Sequence, residues 1–188
     1  LGGAKFETKE PLIRKLLETY DKVFIGGALA HDFLKAKGYN VGRSLVSKNP
    51  NVSNITEHKN IFLPKDVTLV RNEEILTQSI DDIQDDDVIV DIGPDTATEL
   101  EGFVKNASFI LWNGPLGNYE KGFGKRTEEL ATLVAESKAI SIVGGGDTIT
   151  SIENLNLEDK FSHLSTGGGA MIDFLSDGTL PGIEALKV

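Results

Sequence analysis

The sequence contains no cysteine, one tryptophan, one methionine and no apolar run longer than a strand. Without cysteine there is no disulfide framework and no thiolate metal site, a composition that suits a reducing compartment. Without a run of about 18 apolar residues, nothing reads as a membrane-spanning helix or a signal peptide, so a cytoplasmic chain is expected. Positive charge is also scarce: 19 Lys and Arg stand against 29 Asp and Glu, a net charge of −10. That field repels nucleic acids and anionic lipid, and neither is an expected partner. Two phosphate-binding signatures are missing too. No glycine is followed by Lys and Ser or Thr at Walker A spacing, and "GGGDT" lacks the wide spacing of the dinucleotide fingerprint, which disfavours a dehydrogenase.

What is present points to a single α/β domain. With 188 residues, 39% of them hydrophobic, the chain can build one sizeable core. It opens on "LGGAKFETKE" rather than on a methionine, as expected of a piece of something longer. Short Val- and Ile-rich runs at 23–25, 88–92, 109–112 and 140–143 alternate with helical patterns at 28–37, 96–105, 127–137 and 148–154. That alternation predicts parallel strands joined by crossover helices, a three-layer Rossmann-like domain with an open, mostly parallel sheet. A weaker strand is expected at 67–71, followed by solvated polar surface in "NEEILTQSIDDIQDDD", which lacks the ligand spacing and central glycine of a calcium loop. The early segment "TKEPLIRKLLETY" predicts a helix with Thr8 as N-cap and Pro11 in its first turn.

In such a sheet, ligands bind beyond the carboxyl ends of the strands, where the strand-to-helix loops gather. Six glycine clusters fall on that edge: "LGGAK", "IGGALA", "IGPDT", "WNGPLGNYE", "VGGGDT" and "STGGGA". Each alone is readable as a turn or a tight helix–strand contact, but together they favour a ligand that needs close backbone approach. "VGGGDT" and "STGGGA" both lead into helices, whose free N–H groups and positive dipole end attract phosphate. On so acidic a chain an anion needs local compensation, for which Lys5 and Lys9 are candidates; the alternative is a solvated surface pair. Asp147 at a helix start reads strongly as an N-cap; the rival reading is a carboxylate for phosphate-bound Mg²⁺, and the two are compatible. Glu120 reads as a ribose ligand or as an exposed loop residue. His31, His58 and His163 show neither metal-ligand spacing nor a nucleophile partner and read as structural.

"LGGAK", "LP" at 63–64, "DIGP", "WNGPLGNYE", "VGGGDT", "SHLSTGGGA" and "LPGIEAL" occur here in an order that resembles the phosphoglycerate kinases, specifically their carboxyl-terminal, nucleotide-binding domain. The likeness covers essentially the whole chain. It implies reversible phosphoryl transfer between 1,3-bisphosphoglycerate and ADP with Mg²⁺, in a cytoplasmic, monomeric glycolytic enzyme. By motif, Gly3 belongs to the nucleotide site, Lys5 follows the transferring phosphoryl group and Lys9 the α-phosphate. Gly26, Gly27 and Val90 line an adenine pocket with Pro115 and Gly117. Asn113 reaches the phosphates, Glu120 the ribose, Asp147 the metal and Thr148 a phosphate. Gly145, Gly146 and Gly168 face the migrating group.

The sequence also departs from that pattern. Ala28 replaces a third glycine and Asn118 a small apolar residue beside the base, so adenine affinity is expected to differ; Arg126 replaces a glycine, and "AMID" the usual "ASLE". The strand that leads into "LGGAK" in the family and the amino-terminal domain that binds 3-phosphoglycerate or 1,3-bisphosphoglycerate are not in these residues. The expectation is Mg-ADP or Mg-ATP binding without turnover; the alternative is a stand-alone, non-catalytic nucleotide-binding or interaction module.

Overall fold

The computed structural model describes residues 1–48, 50–52 and 54–187. The first helix, α1 (Phe6–Thr19), forms because Phe6, Lys9, Leu12, Ile13, Leu16 and Leu17 recur at helical spacing and are all buried. Its N-cap is Lys5 in the left-handed region (φ 66°), not Thr8, whose hydroxyl donates to the Lys5 carbonyl at 3.0 Å. Pro11 lies in the helix interior rather than in the first turn. An interior proline costs roughly 3 kcal/mol, whereas each buried large apolar side chain returns about 1.5–3 kcal/mol, so the stripe decides the outcome.

The order continues with β1 (Val23–Phe24), α2 (Gly27–Ala36), β2 (Ile61–Phe62), β3 (Asp66–Arg71), β4 (Glu74–Ser79), β5 (Val88–Ile92) and α3 (Pro94–Asn106). Then come β6 (Phe109–Asn113), α4 (Lys125–Glu136), β7 (Ile140–Gly144), α5 (Gly146–Asn154), β8 (His163–Ser165), α6 (Gly168–Asp177) and α7 (Pro181–Glu184). Strands β6, β7 and β8 pair in parallel, as do β1 and β2. Residues 1–3 lie in the seam between these two groups. The Leu1 nitrogen donates to the Phe24 carbonyl at 2.7 Å and Gly26 N to the Leu1 carbonyl at 2.8 Å, while Gly2 N reaches the Asn113 carbonyl at 2.9 Å.

The middle of the chain differs from the expected parallel pattern. Strand β5 pairs antiparallel with β3, and β3 with β4. The polar stretch after Arg71 is therefore partly a strand, not only loop. Asn72 and Glu73 both have positive φ (49° and 67°), the mark of a two-residue hairpin turn whose twist matches its strands. A hairpin needs no crossover helix, and so the helical alternation breaks here.

Alternate residues of β6 serve two cores. Leu111 packs against the cluster that holds Phe6, Leu12, Phe33 and Ile172 of α1, α2 and α6. Ile110 and Trp112 join the cluster of Leu100, Leu130, Val134 and Ile152 from α3, α4 and α5. Helices thus cover both faces of the parallel strands, the three-layer α/β arrangement that the alternation predicts.

Candidate functional site

The loops after β1, β6, β7 and β8 meet residues 1–5 at one edge. Close backbone approach requires glycine at two junctions in particular. A Cβ on Gly27, whose φ is 60°, would lie 2.5 Å from Gly3 N, and one on Gly168 would lie 2.9 Å from the Gly145 Cα. The "GGALA", "LGGAK", "GGGDT" and "STGGGA" segments are therefore packed on one another.

At the centre of that edge lies a set of donors without acceptors. Asn113 ends β6, and its Nδ2 is buried with no hydrogen-bond partner among the described residues. The Thr148 Oγ1 in the first turn of α5 is in the same condition. A buried, unpaired donor costs about 1–3 kcal/mol, which a bound acceptor recovers. Both α5 and α6 start from glycine caps, Gly145 (φ 106°) and Gly167, that offer no side chain to the free N–H groups. Gly146, the first residue of α5, is exposed and has open space around its Cα.

Asp147 is the second residue of α5 and exposed, so the N-cap alternative falls: Gly145 holds that position. Its carboxylate has no partner among the described residues, which also contain no group of three or more His, Cys, Asp or Glu that could hold a metal. One free carboxylate beside an oxygen-rich ligand fits Mg²⁺, which keeps most of its waters and takes one or two protein carboxylates.

The two lysines separate. Lys5 is exposed at the head of α1 in a strained left-handed conformation. Lys9 lies on the buried stripe of that helix, 6% exposed, and its Nζ donates to the Gly2 carbonyl. Burial lowers its pKa from the ordinary 10.5 to about 8. It is therefore no solvated surface residue. The signal was in the spacing, since position 9 falls three after Phe6 and four before Ile13.

Beside the donor set is a cavity of about 570 Å³, and Gly3, Gly27, Val90, Pro115, Gly117, Asn118, Glu120 and Asp147 all line it. Gly26 sits behind it, its N–H taken by the Leu1 carbonyl. Thr148 and Lys9 lie beneath the loops rather than on the cavity wall. The cavity also has walls that the sequence did not single out, among them Leu45, Asp91 and Tyr119, and it takes in His31, which the sequence reads as structural.

Asp91 is buried behind Gly117. Its carboxylate accepts from Ile92 N at 2.9 Å and from Arg126 N, in the first turn of α4, at 3.2 Å. Desolvation pushes its pKa up to about 6 against those bonds. The same loop is fastened by Asn118 N to the Val90 carbonyl at 2.7 Å and by Leu116 N to the Thr127 hydroxyl at 2.9 Å.

The "IGPDT" cluster behaves differently. The start of α3 is already occupied by the Asp66 carboxylate, which accepts from Asp95 N at 3.0 Å, Thr96 N at 2.8 Å and the Thr96 hydroxyl at 2.6 Å. A Cβ on Gly93 would strike that carboxylate at 2.2 Å. Here the glycine makes room for an internal anion, and no external one is needed.

The phosphoglycerate kinase family model matches residues 1–178. The chain belongs to the phosphoglycerate kinase family. It is 39% identical over its whole length to the phosphoglycerate kinase of Desulfovibrio desulfuricans and 37% identical to that of Francisella philomiragia, covering 51% of each relative. The solved phosphoglycerate kinase of Coxiella burnetii superposes with a TM-score of 0.87 at 36% identity, and that of Pyrococcus horikoshii with 0.84 at 31%. In both cases 98% of this chain and 50% of the other are covered. The chain spans about half the length of the relatives it matches. No helix among the described residues is long and apolar enough to cross a membrane.

Proposed function

We propose that this chain is the carboxyl-terminal, nucleotide-binding half of a phosphoglycerate kinase, a single domain at 1–188 that takes Mg-ADP or Mg-ATP at its glycine edge. The observation that carries this is the pair of buried, unpartnered donors, Asn113 Nδ2 and Thr148 Oγ1, beside two uncapped helix N-termini. Together they form a ready site for the oxygens of a polyphosphate. The adjoining cavity, with apolar Val90, Pro115 and Leu116 on its walls, suits a base, and Glu120 at its exposed rim suits ribose hydroxyls.

Phosphoryl transfer needs little covalent help from a protein; it needs charge fixed around the moving group. The backbone N–H groups of Gly145, Gly146 and Gly168 are held by helix starts and cost no reorganisation when the group arrives. Lys5, exposed at the end of a strained turn, is free to follow the phosphoryl group. Lys9, anchored on the Gly2 carbonyl, holds a fixed charge under the loop. Asp147 holds Mg²⁺, which supplies positive charge to the phosphate oxygens when bound. The glycerate substrate, 1,3-bisphosphoglycerate or 3-phosphoglycerate, is met by the other half of the enzyme.

Isothermal titration of Mg-ADP into the chain tests the reading. Binding is expected in the wild type, weakened by about tenfold or more in Lys9→Met, since a bond to a charged group contributes roughly 1.5–3 kcal/mol. In Asp147→Asn the gain in affinity from added Mg²⁺ should vanish. A folded wild type that binds no ADP, or variants that bind as the wild type does, would refute it.

A further inference from the structure

The cavity wall contains a polar group that neither the proposed phosphate chemistry nor the motifs use. His31 lies one helical turn after Gly27 on α2, and Gly27, Ala30, His31 and Leu34 share the face that lines the cavity. The side chain is buried, 5% exposed, and its Nδ1 lies 2.8 Å from the Leu45 carbonyl. A carbonyl oxygen only accepts, so Nδ1 carries the proton. In a neutral imidazole Nε2 is then a bare acceptor. It has no hydrogen-bond partner among the described residues.

The other polar side chains around the cavity do not compete for this role. The Asp91 oxygens are engaged by Ile92 N and Arg126 N. Arg43, Asn118, Glu120, Lys121 and Asp147 are exposed, and the Tyr119 hydroxyl accepts from Asn154 Nδ2 at 3.0 Å. The cavity walls also include Leu34, Leu45, Val67 and Val88, which offer no donor or acceptor from their side chains.

We infer that His31 is a specificity residue whose Nε2 accepts a hydrogen bond from the base, selecting a purine with an exocyclic 6-amino group over 6-oxo purines. The inference rests on the nucleotide reading of the cavity. An acceptor in an apolar wall rewards an N–H donor and leaves a 6-oxo group facing a second acceptor with nothing to satisfy it. Burial lowers the His31 pKa, against smaller opposing effects of the Leu45 bond and the Asp32 charge, which favours the neutral ring that this role needs.

The test is titration of ADP, purine riboside 5′-diphosphate (no 6-amino group) and IDP into wild type and His31→Phe, with Mg²⁺ throughout. One hydrogen bond predicts that wild type prefers ADP over the 6-unsubstituted analogue by about 3- to 10-fold. In His31→Phe the two should bind equally, with affinity for the analogue kept, while His31→Gln, which retains an acceptor, should restore part of the preference. In the wild type, the ¹⁵N resonance of Nε2 should move with ADP and not with the analogue, a readout that needs no variant to fold. The inference is overturned if the preference survives in His31→Phe, if IDP equals ADP, or if Nε2 is silent. Wild type that binds ADP and the analogue equally refutes His31 alone; wild type that binds none of the diphosphates refutes the nucleotide reading as well.

Discussion

Lys9 shows how position on an element alters a side chain. Two lysines four apart look alike in sequence, yet the buried stripe of α1 takes Lys9 inside and leaves Lys5 out. Since burial brings the Lys9 pKa down to about 8, its charge is lost well below the ordinary lysine range. Between pH 8 and 10.5 the unfolded chain binds this proton more tightly than the folded one, so stability rises with pH across that window. Affinity for an anion moves the other way. ADP affinity should begin to fall as pH passes about 8 in the wild type and show no such step in Lys9→Met, measured by titration at pH 7, 8 and 9. The gathering of the glycine loops on one edge and the place of Asp147 at a helix start were legible from local pattern; the burial of Asp91 and the tautomer of His31 were not, because both depend on chain segments distant in sequence.

At the scale of elements, the helix starts on this edge differ in whether the protein fills them. The Asp66 carboxylate fills that of α3, whereas those of α5 and α6 have no side-chain cap. Asp66→Ala should therefore cost about 1–2 kcal/mol of stability, read as a lowered midpoint in thermal melts, and leave ADP affinity unchanged. A loss of ADP binding by a folded Asp66→Ala chain would mean that α3 belongs to the site after all. The parallel strands and their helices were readable because hydrophobic runs alternate with helical periods. The hairpin β3–β4 was hidden, since β4 is an exposed edge strand whose polar residues look like loop.

For the whole molecule, half the length of the relatives is covered, and the proposed site accounts for the nucleotide alone. The chain alone should give no phosphoglycerate-dependent ATP turnover in a coupled assay, even where it binds Mg-ADP. Turnover by this chain would require that it bind the glycerate itself. The overall architecture was legible from the order of its motifs. The join between the two parallel groups was not, because backbone bonds of Leu1 to Gly3 connect β1 to the end of β6, segments distant from one another in sequence.

The central claim is that the unpartnered donors at the glycine edge await phosphate. It is tested most directly by following the ¹H–¹⁵N spectrum of the chain as Mg-ADP is added. The account predicts that the largest changes fall on the Asn113 side-chain amide and on the backbone of Gly145, Gly146, Asp147, Thr148 and Gly168. Changes confined elsewhere, for instance to the separate cavity lined by Lys37, His58 and Lys59, would contradict it.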